Sequence, residues 1–470
     1  MLFASVLLAP LPAGMNADAV RVAAVALLMA AFWIAETLPI PVTAMIPIFL
    51  FPVLKIMPTK EVTLSYGNEI LFLFMGGFLI AVAMQKWNLH RRIALNVIAL
   101  VGSSPDRLIL GFMLATAALS MWISNTATAM MMMPVGVAVI ERTRLDAGIH
   151  GEPGHETYHF GVALMLGIAY SASIGGVATL VGTPPNAIFI GMIDTLYGYN
   201  ISFFDWMKLG LPLALVMLAV CWLVLTRLLF RLETGASHVG ARSHIRSELD
   251  KLGRMGREER SVALVFFLVA LAWILRGLFE PEALDMVSDP AIAMAGAFVL
   301  FAIPASPEKG GFVLEWKVAA TIPWDIIILM GGGFALAAGF SQTGLTEWIA
   351  NQLTVLQGVH VLIIIVSVVL FVTFLTEVTS NAATATLFIP VMGALALSMD
   401  MHPFSLMIPA ALAASMAFML PVATPPNAIV FASRYVTIGQ MAKAGIWLNL
   451  AGGVIVSGLC YKLVPLLLPG

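Results

Sequence analysis

The sequence predicts an all-α polytopic membrane protein: about 11 transmembrane helices plus two re-entrant hairpins, arranged as an inverted repeat. Three observations predict it. First, 60% of the 470 residues are hydrophobic and only 11% are charged, far less polar than a soluble domain of that length. Second, apolar runs of about 20 residues, each long enough to cross a bilayer, recur along the whole chain. Alternation at period two, the mark of a transmembrane barrel, is absent. Third, two short motifs occur twice, in the same order. Ser124-Asn125-Thr126-Ala127-Thr128-Ala129 returns as Ser380-Asn381-Ala382-Ala383-Thr384-Ala385. Val181-Gly182-Thr183-Pro184-Pro185-Asn186 returns as Val422-Ala423-Thr424-Pro425-Pro426-Asn427.

Membrane segments are expected near 18–37, 40–56, 65–85, 108–142, 160–195, 206–230, 261–279, 289–304, 321–341, 359–398, 405–432 and 444–468. Residues 1–12 are apolar but too few to span alone, and they lack the basic start of a signal peptide. They fit a shortened first helix or a displaced start. Segments 108–142 and 359–398 are too long for one span, and each carries Ser-Asn near its centre. A helix pair that enters and returns on the same side fits both. Such hairpins need protein or a watery cavity around their tips. Segments 160–195 and 405–432 each carry a double proline and are read as broken helices.

The net charge of −2 points away from nucleic acid, and Cys221 and Cys460 sit in apolar runs, suggesting neither a disulfide framework nor a thiolate metal site. Basic residues set the orientation. The loop 231–260 holds Arg231, Arg242, Arg246, Lys251, Arg254, Arg257 and Arg260, whereas 196–205 and 280–290 have no Lys or Arg. The positive-inside rule puts the loop 231–260 in the cytoplasm, and alternating spans then put the C-terminus outside. Lys55 and Lys60 are exceptions on the outer side. A third anchor pair, Phe74-Met75-Gly76-Gly77 and Leu329-Met330-Gly331-Gly332, supports duplication. The offsets of the three pairs are 255, 256 and 241 residues. An odd number of spans separates the repeat starts, hence opposite insertion.

Unsatisfied polar groups in hydrocarbon are costly, so mid-membrane Ser and Asn need partners. Interhelical glue is the ordinary role of such residues. Here Ser-Asn stands where the second arm of each hairpin begins. Free amides and a positive dipole end at that start suit an anion. The paired prolines unwind the backbone near Gly182–Pro185 and Ala423–Pro426. Exposed carbonyl and hydroxyl oxygens there are hard ligands for a small cation such as sodium.

In this order and context, Ser-Asn-Thr and Thr-Pro-Pro-Asn-Ala resemble the divalent anion/sodium symporter (DASS) family, over roughly 20–465. The resemblance implies a homodimer whose protomers pair a scaffold domain with a mobile transport domain and work by elevator-type alternating access, with sodium as the coupling ion at two sites or more. Scaffold helices would be 1–107 and 261–358. The transport-domain halves would be 108–230 and 359–470, on either side of the basic loop 231–260 and the second scaffold block. Ser120, Ser124, Asn125 and Gly182 would form one sodium site, and Thr376, Thr379, Asn381 and Ala423 the other. Substrate carboxylates would meet Asn125, Thr126, Thr183, Ser380, Asn381, Thr424 and Pro425. The expected activity is sodium-coupled uptake of a small divalent anion, a C4-dicarboxylate such as succinate, malate or fumarate, across the cell's inner (plasma) membrane. The second tip departs from the family pattern, because Ala382 stands where Thr126 has its counterpart. That leaves room for an asymmetric substrate such as malate or citrate, or for sulfate. A sodium-independent exchanger and a channel are alternatives on related architecture.

The rival of another class is an intramembrane zinc protease, because His155-Glu156-Thr157-Tyr158-His159 matches HExxH. The motif follows Glu152-Pro153-Gly154 in a polar connection, which favours an exposed helix start, and the chain is read as no enzyme. Glu377, inside the second hairpin, is read either as organising the sodium site or sensing protons, or as making a buried structural hydrogen bond. Glu36 and Asp325, near span ends, are read as snorkelling or capping groups.

Overall fold

The computed structural model describes residues 11–102, 104–146, 158–232, 239–279 and 286–467. Every regular element among them is helical. Among the described residues, eight helices are long and apolar enough to cross a bilayer, or nine spans if the bent pair Leu345–Leu356 and Val361–Thr376, at 118°, counts as one. This is a multi-pass membrane protein.

The element order of the first half recurs in the second. Ala17–Ile34, Glu69–Lys86 and Leu89–Val101 correspond to Arg257–Phe279, Trp324–Gln342 and Leu345–Leu353. The hairpin arms Pro105–Ser120 and Asn125–Asp146 correspond to Val361–Thr376 and Asn381–Ser398. The broken pairs are His159–Gly176 with Pro184–Tyr197, and Phe404–Ala413 with Pro425–Ala432. Equivalent elements exchange partners, as a two-fold relation requires. Asn125–Asp146 packs on Pro425–Ala432, while Asn381–Ser398 packs on Pro184–Tyr197. Glu69–Lys86 packs on Asp289–Ala302, while Trp324–Gln342 packs on Ile40–Ala44. Small residues make these approaches possible: a Cβ at Gly76 would stand 2.6 Å from Ala293, and one at Gly332 would strike the Ala44 carbonyl.

Three features differ from the sequence expectation. The prolines of both Thr-Pro-Pro motifs are the first helical residues rather than the unwound ones. Proline suits that position, since its missing N–H would be unpaired there anyway. The irregular backbone lies just before, at 177–183 and 414–424. The amphipathic helices Leu89–Val101 and Leu345–Leu353 are separate elements, too polar on one face to show as apolar runs. Within the basic loop, Val239–Leu252 is a helix. It is tied down by Glu248, which pairs with Arg91 and Lys251, while Arg92 reaches Glu259 and the Leu252 and Gly253 carbonyls.

Candidate functional site

Both hairpins turn within four residues, 121–124 and 377–380, and each second arm begins at its asparagine. Ser124 Oγ accepts from the Ala127 amide at 3.3 Å, a capping bond that leaves the amides of Asn125 and Thr126 directed off the helix end. The two tips and the two Thr-Pro-Pro starts line one cavity of about 530 Å³. Every residue expected to meet substrate lines it: Asn125, Thr126, Thr183, Ser380, Asn381, Thr424 and Pro425. Four helix N-termini therefore face one space. The lining includes no Lys, Arg or His among the described residues. An anion there is met by helix dipoles, amides and hydroxyls. Pro184–Pro185 and Pro425–Pro426 have no N–H, so amide donors come from the hairpin tips.

Behind each tip lies an oxygen-rich cluster. Ser120 Oγ is 2.6 Å from both Asn125 Oδ1 and the Ala172 carbonyl. The hydroxyl has one proton for two acceptors. Two arrangements satisfy these atoms. The Asn125 amide can turn, so that its NH2 donates to Ala172 O at 3.0 Å and Gly182 O at 3.2 Å. Alternatively, a cation can sit among the oxygens. The second repeat copies the cluster: Thr376 Oγ1 is 2.7 Å from Asn381 Oδ1 and 3.1 Å from the Ala414 carbonyl. Ser124, Gly182, Thr379 and Ala423 line the cavity beside these clusters. Thr379 turns its hydroxyl to the Leu375 carbonyl at 2.9 Å and to Thr384 at 2.6 Å. The donor set is neutral oxygen throughout, which fits a hard monovalent ion.

Sequence reasoning did not anticipate several parts. The carbonyls of Ala172 and Ala414 carry no side-chain signature. Asn186 and Asn427, fully buried, staple the irregular segments. Asn186 Nδ2 donates to Thr179 O at 2.8 Å and Val177 O at 3.2 Å, and Asn427 Nδ2 to Leu420 O at 3.0 Å and Ala417 O at 3.2 Å. Their place in the repeated motif was the available signal. Glu36 and Asp325 are not merely end groups: both line the cavity. Glu36 occupies a left-handed turn residue, φ 47°, directly after the first helix, and Asp325 opens the helix Trp324–Gln342. Their span ends reach the cavity wall.

Glu377 is 3% exposed and faces donors only. Its carboxylate accepts from the amides of Phe418 at 2.7 Å, Met419 at 2.9 Å and Leu420 at 3.1 Å, and from Asn449 Nδ2 at 2.7 Å. Those amides belong to the second irregular segment, which Glu377 thereby holds against the hairpin. Of the HExxH motif, His155, Glu156 and Thr157 lie outside the described residues. His159 Nδ1 is 3.1 Å from the Arg231 carbonyl, and no cluster of three His, Cys, Asp or Glu side chains occurs among the described residues.

A duplicated helical membrane fold, with two hairpin tips and two broken helices around one site, defines a secondary transporter. The chain belongs to the sodium:sulfate symporter family, whose transmembrane region matches residues 1–467, and the DASS resemblance is thereby borne out. It is 43% identical over 470 residues to the sodium-dependent dicarboxylate transporter SdcS of Staphylococcus saprophyticus, covering 99% of this chain and 90% of that protein. It is 43% identical over 452 residues to SdcS of Staphylococcus aureus, covering 96% of this chain and 86% of that protein. Among solved structures, the YdaH transporter of Alcanivorax borkumensis shares the fold, with a TM-score of 0.59 and 12% identity over 86% of this chain and 87% of its own.

Proposed function

We propose that this chain imports a C4-dicarboxylate together with sodium. The observation that carries the reading is the cavity itself. Four helix starts converge on it, no basic side chain among the described residues lines it, and an acceptor-rich cluster lies behind each tip. A dianion held without side-chain cations needs its charge offset by co-bound cations. Ser120, Ser124, Asn125 and Gly182, joined by the Ala172 carbonyl, would hold one sodium. Thr376, Thr379, Asn381 and Ala423, joined by the Ala414 carbonyl, would hold the second. Asn125, Thr126, Thr183, Ser380, Asn381, Thr424 and Pro425 would meet the carboxylates.

In this reading, sodium orders each tip by replacing repulsion between oxygens with coordination, and the substrate then bridges the tips. The halves 108–230 and 359–470 move together against scaffold helices 1–107 and 261–358, in a homodimer of the plasma membrane with the basic loop 231–260 in the cytoplasm. The named activity of the SdcS relatives supports the substrate class.

The test is uptake of labelled succinate into liposomes under a sodium gradient, a potassium gradient, or internal dicarboxylate alone. Sodium-dependent accumulation supports symport; dependence on internal substrate alone overturns it in favour of exchange. Asn125→Ala and Asn381→Ala should each abolish uptake in a protein that still elutes as a folded species, and near-normal rates in both would refute the site.

A further inference from the structure

The two tips carry matching chemistry, yet they are packed very differently. In the first hairpin, Trp122 stands in the turn beside Ser124. Its ring is parallel to Trp273 (centroids 6.4 Å apart, planes at 2°) and edge-on to Phe266 at 4.9 Å. It also stacks on Phe203 at 5.8 Å, which in turn stacks on Trp273 at 4.4 Å. Phe266 and Trp273 belong to Arg257–Phe279, a helix outside the hairpin and broken-helix unit. The motif residue Val181, 4% exposed, lies between this cluster and the cavity wall.

At the second tip the residue equivalent to Trp122 is Val378, 64% exposed, and the equivalent of Val181 is Val422, 83% exposed. Both line the open cavity. The opposing wall carries a tryptophan at the matching place on both sides. Trp273 Nε1 donates to the Asp289 carbonyl at 3.0 Å, and Trp33 Nε1, at the matching place in the first repeat, donates to the Ile40 carbonyl at 3.1 Å. Phe266, by the same offset, has Ala26 as its counterpart, so the asymmetry lies in the tip, tryptophan against valine, and in one wall residue, phenylalanine against alanine.

We infer that Trp122 determines which side of the membrane the empty cavity faces at rest. The inference rests on the alternating-access reading above and adds a residue to it. Closing the first tip makes aromatic contacts with the wall that closing the second tip with Val378 does not replace. The empty protein accordingly rests with the first tip shut and the second open. Trp122 binds neither ion nor substrate; it positions the tip that does.

The experiment uses single-cysteine probes in the full-length protein in lipid nanodiscs. The natural Cys221 and Cys460 are 0% and 1% exposed and contribute little background. Val422→Cys reports the open face and Val181→Cys the sealed one, each read as a maleimide labelling rate. Trp122→Val should raise labelling at 181 about tenfold, the factor expected from losing two aromatic contacts with the wall. That substitution also thins the packing directly over Val181, so the mirror variant is decisive. Val378→Trp alters an exposed position outside the aromatic cluster over Val181, and it should raise labelling at 181 while lowering it at 422. Unchanged labelling at both probes in Val378→Trp overturns the inference. The parent probes alone test the underlying reading: if sodium with succinate changes neither rate, alternating access itself fails. If they respond while Val378→Trp does not, only the role of Trp122 falls.

Discussion

The two irregular segments, 177–183 and 414–424, perform the same task with different supports. The first is short and glycine-crossed. A Cβ at Gly176 would stand 2.5 Å from Asn125 Oδ1 and 3.0 Å from the Gly182 carbonyl, so the backbones touch and nothing else fits. The second is longer and looser, with Ala417 and Ala423 where the first has Gly176 and Gly182. Its extra unpaired amides are gathered by the buried carboxylate of Glu377. The residue equivalent to Glu377 in the first repeat is Met121. The difference teaches that symmetry is kept in the tip asparagines and Thr-Pro-Pro starts that line the cavity, is broken there at Thr126 and Ala382, and is relaxed in whatever braces them.

The largest effect should come from closing the glycine crossing. Gly176→Ala forces about 1–3 kcal/mol of overpacking onto the first oxygen cluster. Initial uptake should fall roughly tenfold or more, with sodium activation shifted to higher concentration. A rate within twofold of the parent would show that the crossing tolerates a methyl. Next, Glu377→Gln replaces an acceptor oxygen by an NH2 that opposes backbone amides, a buried mismatch costing about 1–3 kcal/mol. Thermal unfolding should drop by several degrees and half-saturation by sodium should rise. An unchanged sodium curve with a lower melting point would confine Glu377 to stability.

A smaller effect is expected at the one unmatched tip position. Ala382→Thr restores a hydroxyl opposite Thr126, worth about 0.5–1.5 kcal/mol if it reaches the substrate. The KM for succinate should fall about threefold, and Thr126→Ala should raise it by a similar factor. Opposite signs in the two variants would confirm that each tip holds one carboxylate; no change in either would mean that backbone amides alone do so. The smallest effect, none, is expected for His155→Ala, and loss of a zinc-dependent peptidase activity there would revive the protease alternative.

Much of this site was legible in the sequence because its determinants are side chains that violate their surroundings. Ser-Asn and Thr-Pro-Pro inside apolar runs stand out, and their repetition reveals that the tips meet. What could not be read was carried by backbone or by distance. The Ala172 and Ala414 carbonyls look like any alanine. The prolines marked the break but not its side, since proline both ends one helix and opens the next. Glu36 and Asp325 were placed correctly near span ends, yet only the three-dimensional packing shows that those ends reach the cavity. Trp122 reads as one more apolar residue until its exposed counterpart, Val378, is seen beside it.

Helix starts line this cavity, with no Lys, Arg or His among the described residues. Peptide dipoles do not titrate. The hold that helix starts, amides and hydroxyls exert on an anion therefore does not itself titrate. That part of the site responds to the charge state of a metabolite without itself sensing pH.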